Sequence, residues 1–278
     1  MTYYDELTTV RQVRFLQLNS TSTSDDTLLL SMIRQTSHDI ESATNRKFSP
    51  FIDTREYDAP RIYLPSLVLD EDLLELTTLT NGDGTVFDAS EYKIYPLNTT
   101  PKSRIVILGS SPTQWLRDNS GNAEGAISAA GVWGYHPDYI SAWLDTTAVL
   151  GASISTSALT LTCATGLLFA GDLVKVDDEM MHVSSVAVST SDTATLVRAV
   201  NGSTAAAHST SAVINRWSIY DSIGQIAVAA AVGYYNLRKN PMRDTIQLDQ
   251  ATFVTPKDVK AFIRVQCADL GIIRTGLA

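Results

Sequence analysis

The chain has 278 residues, with 21 Lys plus Arg against 30 Asp plus Glu, a net charge of -9 and a pI near 4.9. At 44% hydrophobic and 18% charged it has ample apolar sequence for a packed core, which excludes disorder throughout. No run approaches the roughly 18–20 apolar residues that span a bilayer. The start MTYYDELTTVRQ has no signal-peptide pattern, so a soluble chain made in the cytoplasm, without a membrane partner, is expected.

The charge is uneven. Between Asp53 and Glu91 ten acids face only Arg55 and Arg61, a net of -8, whereas Arg238 to the end carries a net of +3. Either the solvated faces simply differ, or the protein presents two surfaces to two different neighbours.

The first predicted element is a short helix marked by Leu7, Val10 and Leu16. A Ser/Thr-rich loop follows, then a longer helix with Ser24 as N-cap and Leu29, Met32, Ile33, Ile40 and Ala43 on one face, closing at Asn45. From about Thr54 the period changes to two, and strands are predicted at 61–64, 74–79, 92–95, 104–108 and 127–132. Asn81-Gly82-Asp83-Gly84 is a turn signal within this antiparallel region.

From about Thr146 to Arg216, Ser, Thr, Ala and Val dominate and short alternating runs recur, which predicts a small all-β module of about five strands. Two helices follow. One carries Ile223, Ile226, Ala227, Ala230, Tyr234 and Leu237 and ends at Asn240-Pro241; the other has Thr255 as cap, Pro256 in first position, Asp258 in the first turn and Gly271 past its end. The expected fold is α+β: a helical bundle of about four helices with an antiparallel β-sheet region in residues 1–145 and 217–278, and an inserted all-β domain in 146–216.

Enzymatic signals fail on spacing. His182 lies close to Asp177, Asp178 and Glu179, but strand alternation separates their faces, and a hairpin loop with solvated acids is the preferred reading over a metal site. Asn81-Gly82-Asp83-Gly84 lacks the sixth-position Gly and twelfth-position Glu of a calcium loop. Gly131-Val132-Trp133-Gly134-Tyr135 is no dinucleotide fingerprint, and neither a GxSxG elbow nor a phosphate loop is present. Cys163 and Cys267 give no disulfide framework or zinc spacing. Trp115, Trp133, Trp143 and Trp217 are not interleaved with cations as a stacking platform requires. No catalytic residue, metal or cofactor is assigned.

The order of elements, read with Val10-Arg11-Gln12-Val13-Arg14-Phe15-Leu16, Asp26-Thr27-Leu28-Leu29-Leu30-Ser31-Met32-Ile33 and Asp39-Ile40-Glu41-Ser42-Ala43-Thr44-Asn45-Arg46-Lys47-Phe48, resembles the head–tail connector (adaptor) family of tailed bacteriophages. Ala126 to Tyr135 is similar to that family's strand before its second helical half. The likeness covers roughly 1–140 and 217–270. The stretches Phe169–Met181 and Val197–His208 are similar to a small β module of phage virion proteins and depart from the minimal family.

The resemblance implies a structural virion protein at the head–tail interface. It would form a homo-oligomeric ring, twelve-fold in the family, beneath the portal protein, and offer a docking surface to a tail-side connector, stopper or tail protein. Double-stranded DNA would pass through without specific binding. Family members engage the portal through the C-terminal region, which here assigns Lys257, Lys260, Arg264, Ile272, Ile273, Arg274 and Leu277, with the three apolar residues buried only on docking. Asp70, Glu71, Asp72 and Glu75 are the candidate channel-facing or inter-subunit acids, since an acidic lumen repels phosphates. The alternative is another virion interaction protein, a tail-completion or decoration subunit, binding through its β module.

Overall fold

The computed structural model describes residues 3–18, 22–61, 64–239, 245–248, 251–254 and 258–274. Thr9 opens α1 (Val10–Val13) with a capping box: its hydroxyl accepts from the Gln12 amide, and the Gln12 side chain accepts from the Thr9 amide. A π-helical turn, Arg14–Leu18, continues it. Helix α2 (Asp26–Thr44) buries Leu29, Ile33 and Ile40 and stops where Asn45 takes a left-handed φ of 52°. Its N-cap is Asp25, not Ser24, and the Asp25 carboxylate is turned away from the helix amides, accepting instead from Tyr235 Oη at 2.6 Å and Lys239 Nζ at 2.9 Å.

Strands β1 (Phe51–Tyr57), β2 (Ser66–Thr80), β3 (Tyr92–Tyr95), β4 (Lys102–Ile107) and β5 (Ile127–Trp133) form one antiparallel sheet in the order β1-β5-β2-β4-β3. On β5 the alternation buries Ile127, Ala129 and Trp133. Gly131 is required there, since a Cβ would meet the Glu75 carbonyl oxygen at 2.2 Å. The strand expected at 61–64 falls partly outside the described residues. After the single turn α3 (Tyr139–Ala142), strands β6 (Trp143–Val149), β7 (Thr160–Cys163), β8 (Leu173–Val176), β9 (Glu179–Ala187), β10 (Asp192–Val197) and β11 (Val213–Trp217) make a second antiparallel sheet, ordered β6-β11-β8-β9-β10-β7. Leu150, Leu161, Val174, Val176, Met181, Val183 and Ile214 are its core, and Cys163 sits among them as a free thiol.

Helix α4 (Asp221–Lys239) buries Ile223, Ile226, Ala227 and Ala230. A hairpin of β12 (Thr245–Leu248) and β13 (Ala251–Val254) precedes α5 (Val259–Asp269). Asp258 caps α5, accepting from the Ala261 amide at 2.9 Å, and therefore does not sit in the first turn; Thr255 and Pro256 lie outside the described residues.

The expected α+β fold built on a bundle of about four helices is corrected. Among the described residues the chain is mostly β, with two antiparallel sheets of five and six strands and five short helices, 24% helical. The physical reason lies in helix length. Among the described residues two of the five helices are single turns of four residues, which leaves α2, α4 and α5 as the helices of more than one turn. The core that α2 and α4 share with α1 is small, centred on Val13, Leu29, Ile33 and Ala231. By compactness the chain forms two units, residues 1–49 with 142–275 and residues 50–141 with 276–278. The first unit holds the long helices and the six-stranded sheet together, fastened where Tyr4 stacks on His182 at 4.0 Å and exchanges backbone hydrogen bonds with the Asn201 side chain.

Candidate interaction surfaces

Of the C-terminal residues singled out by sequence, Lys260, Arg264 and Ile273 line one surface concavity with Asp39 and Val265. Lys260 is not free there: its Nζ lies 3.2 Å from Asp39 Oδ1 and ties α5 to α2. Asp39 also accepts from Tyr234 Oη and the Gln35 amide, and although burial pushes its pKa up, these bonds and Lys260 hold it below the ordinary value. Arg264 is exposed.

Ile272 departs from expectation. It is 4% exposed within the chain itself, so its burial does not wait for a partner, whereas Ile273 is 38% exposed. The Ile272 carbonyl accepts from Arg46 Nε at 2.6 Å, and the Arg274 amide donates to the Thr44 carbonyl at 2.8 Å. Lys257 and Leu277 lie outside the described residues.

The four acids Asp70, Glu71, Asp72 and Glu75 share β2, the central strand of the five-stranded sheet. The register shifts between Val68 and Leu73 on the β4 side, and this irregularity sends neighbouring carboxylates in different directions. Asp72 is buried and its carbonyl accepts from the Gly134 amide. Glu71 accepts from Arg55 at 2.7 Å. Glu75 accepts from Tyr139 Oη at 3.3 Å, and it and Asp70 are the two acids of the set that are exposed.

The β module contains a charge network that the sequence reading missed. A tight turn with Asp177 at φ 51° starts β9 at Glu179, whose side chain is fully buried. Arg198 donates to both Glu179 oxygens, at 2.7 and 2.6 Å, and to the carbonyls of Ser155, Ala158 and Ala206. The amides of Ala199 and Ala206 donate to the same carboxylate. His208, also buried, places Nε2 2.9 Å from Glu179 and Nδ1 2.7 Å from Asp177. Burial pushes the Glu179 carboxyl up, but Arg198, the amides and His208 outweigh it and hold the group at about 2.

Glu179 is therefore not one of the solvated acids of an open hairpin loop, as its neighbours Asp177 and Asp178 are. The available signal was Arg198, the lone cation between Lys175 and Arg216. Every partner in this network is spent on another, which makes it a staple for the 199–208 loop and leaves no free nucleophile or base. Among the described residues no group of three or more His, Cys, Asp or Glu is placed to hold a metal ion. None of their helices is long and apolar enough to cross a membrane.

A groove of about 770 Å³ runs between the N-terminal segment and the six-stranded sheet, with Phe15, Leu30, Leu168, Phe169, Val186 and Val188 among its lining. Arg11 stacks over the Phe169 ring at 3.7 Å; Arg14 pairs with Asp26 and Arg34 with Glu6 at its rim. The chain matches no family model and no curated protein.

Proposed function

We propose that this chain is a structural virion protein that assembles as a ring beneath the portal, joins the phage head to the tail and extends the DNA channel, with no catalytic step of its own. The observation that carries the reading is the position of the residues on which the resemblance rests. Thr44, Arg46 and Phe48, at the exit of α2, all receive or give bonds to distant parts of the chain: Arg46 to the Ile272 carbonyl, Thr44 to the Arg274 amide, and the Phe48 carbonyl to the Trp217 indole at 3.2 Å. Thr44 and Arg46 fasten the C-terminal segment, from which exposed Ile273 and Arg264 are presented to a partner, while Phe48 ties the same exit to the end of β11.

Large exposed apolar side chains add support, since Ile140, Phe15 and Val188 are 91%, 74% and 73% exposed and suit a protein that works covered by neighbours. In the ring, Asp70 and Glu75 keep phosphates from sticking, the inverse of counterion-release binding. Binding of the chain to purified portal rings tests the C-terminal assignment. Arg264→Glu weakens it at least tenfold without changing the melting temperature, and a chain ending at Arg274 loses the contribution of Leu277. Unchanged portal affinity in both variants removes the C-terminal surface from the reading.

A further inference from the structure

His182 on β9 is 9% exposed, and its buried Nδ1 has no hydrogen-bond partner among the described residues. The N-terminal segment covers it as a strap. The Tyr4 ring lies flat on the imidazole, 13° from parallel with centroids 4.0 Å apart. Asn201, itself fully buried, holds the Tyr4 backbone, accepting from its amide at 2.8 Å and donating to its carbonyl at 3.3 Å. Further along, Leu7 is the fixed end of the strap: it is buried, and its amide donates to Ser37 Oγ of α2 at 2.9 Å. Two cavities, of about 910 and 770 Å³, share Tyr4, Glu6, Thr8 and His182 in their linings, so open space borders the strap where it crosses the ring.

A neutral imidazole fits this place and an imidazolium does not. With Nδ1 bare, no N–H is buried there without an acceptor; once protonated, Nδ1 becomes a buried donor with nothing to receive it. The surrounding charges do not compensate. Glu6 of the strap favours the cation, but it is paired with Arg34 of α2 at 3.1 Å. Arg11 of α1 and Asp172, which has Arg216 of β11 beside it at 3.7 Å, line the same cavity. Burial and Arg34 together outweigh Glu6 and hold His182 below its ordinary 6.5.

We propose that His182 and Tyr4 form an acid-released latch: the strap Tyr3–Glu6 lies closed on the β module while the ring is neutral, and lifts off, hinged at Leu7, when Nδ1 takes a proton from solvent. The ring of the open strap is hydrated and titrates at its ordinary value, so closure holds in full above 6.5 and weakens as pH falls below it. The sign identifies the group. Burial raises the carboxyls of Asp5 and Asp172, and raises Glu41, which accepts from Tyr3 Oη at 3.5 Å, to about 7. Their protonation favours the closed chain, so among these groups His182 alone loosens the strap in acid. The latch belongs to the single chain and stands or falls independently of the ring reading.

Hydrogen exchange of the full chain, corrected for the intrinsic pH dependence of the reaction, tests it. From about pH 8 to about pH 5 the Tyr4 amide loses protection several-fold, while the Leu7 amide at the anchor and the amides of β5 keep theirs. His182→Gln, which takes no proton, keeps the Tyr4 amide protected at both pH values. Independently of how that variant folds, NMR titration of the native ring finds His182 titrating below 6.5, and Tyr4→Ala moves it up toward that value. A Tyr4 amide as well protected in acid as at about pH 8, or a loss that persists in folded His182→Gln, overturns the latch. So does a His182 titration that Tyr4→Ala leaves in place.

Discussion

Two sets of acids show how differently one residue type is used in this chain. Glu179 in the six-stranded sheet is fully buried and bound by a bidentate arginine, two backbone amides and a histidine. Asp70 and Glu75 on β2 of the five-stranded sheet are exposed, and Glu71 pairs with an arginine that is about one-third exposed. The first set fixes a loop. The second leaves its charge available to whatever passes or docks. The difference follows from desolvation: a carboxylate removed from water needs a full complement of donors, whereas one left in water needs none and gains little from a partner.

The largest test of this contrast is Arg198→Ala. It strands a buried carboxylate, and the denaturant midpoint is expected to fall by an amount equivalent to about 3–5 kcal/mol; a loss under 1 kcal/mol would show that the network is dispensable. The acid limb of stability comes next. Glu179 titrates at about 2 in the fold against an ordinary 4.5, so its contribution is present above 4.5 and lost as pH falls toward 2. Glu41 has the opposite sign. Burial outweighs its partner Lys47 and raises it to about 7, so its contribution to stability declines as pH rises from 4.5 to 7. Melting curves across that range should slope downward in the native chain and flatten in Glu41→Gln; an unchanged slope would refute the assignment.

Smaller effects belong to the five-stranded sheet. Arg55→Ala removes the pairs to Glu71 and Asp53 from a surface where each side chain is about one-third exposed, and should cost about 0–1 kcal/mol. Asp70→Asn and Glu75→Gln should stay within about 0.5 kcal/mol of the native chain in chemical denaturation. A large loss at Glu75 would mean that its bond to Tyr139 holds the sheet.

Much of the element-level structure was legible in the sequence, because period and punctuation are local. The 3–4 spacing of Leu29, Ile33 and Ile40, the left-handed Asn45, the run Leu173–Val176 and the turn at Asn81 all correspond to elements of the fold. Three things were not legible. The number of packing helices depends on length: α1 and α3 stop after four residues, and alternation in the sheets outweighs them. Glu179 looked solvated because its neighbours are, and only Arg198 and His208, 19 and 29 residues away, reveal otherwise. The β12–β13 pairing between the last two long helices was given no element by the sequence reading, because it follows directly on the helix stop at Asn240-Pro241. Of the candidate surfaces, the sequence reading began the strand at Leu74 and so held only Glu75 of the four acids, where one strand, Ser66–Thr80, carries them all; nor was the burial of Asp72 or of Ile272 legible, which is set by register and by the anchor from Arg46.

The central claim is that copies of this chain close a ring on a portal. Native mass spectrometry of the purified chain mixed with a purified phage portal protein tests it most directly. The account predicts one closed stoichiometry of the chain per portal, twelve copies in the family pattern. A chain that stays monomeric and never joins the portal would contradict it.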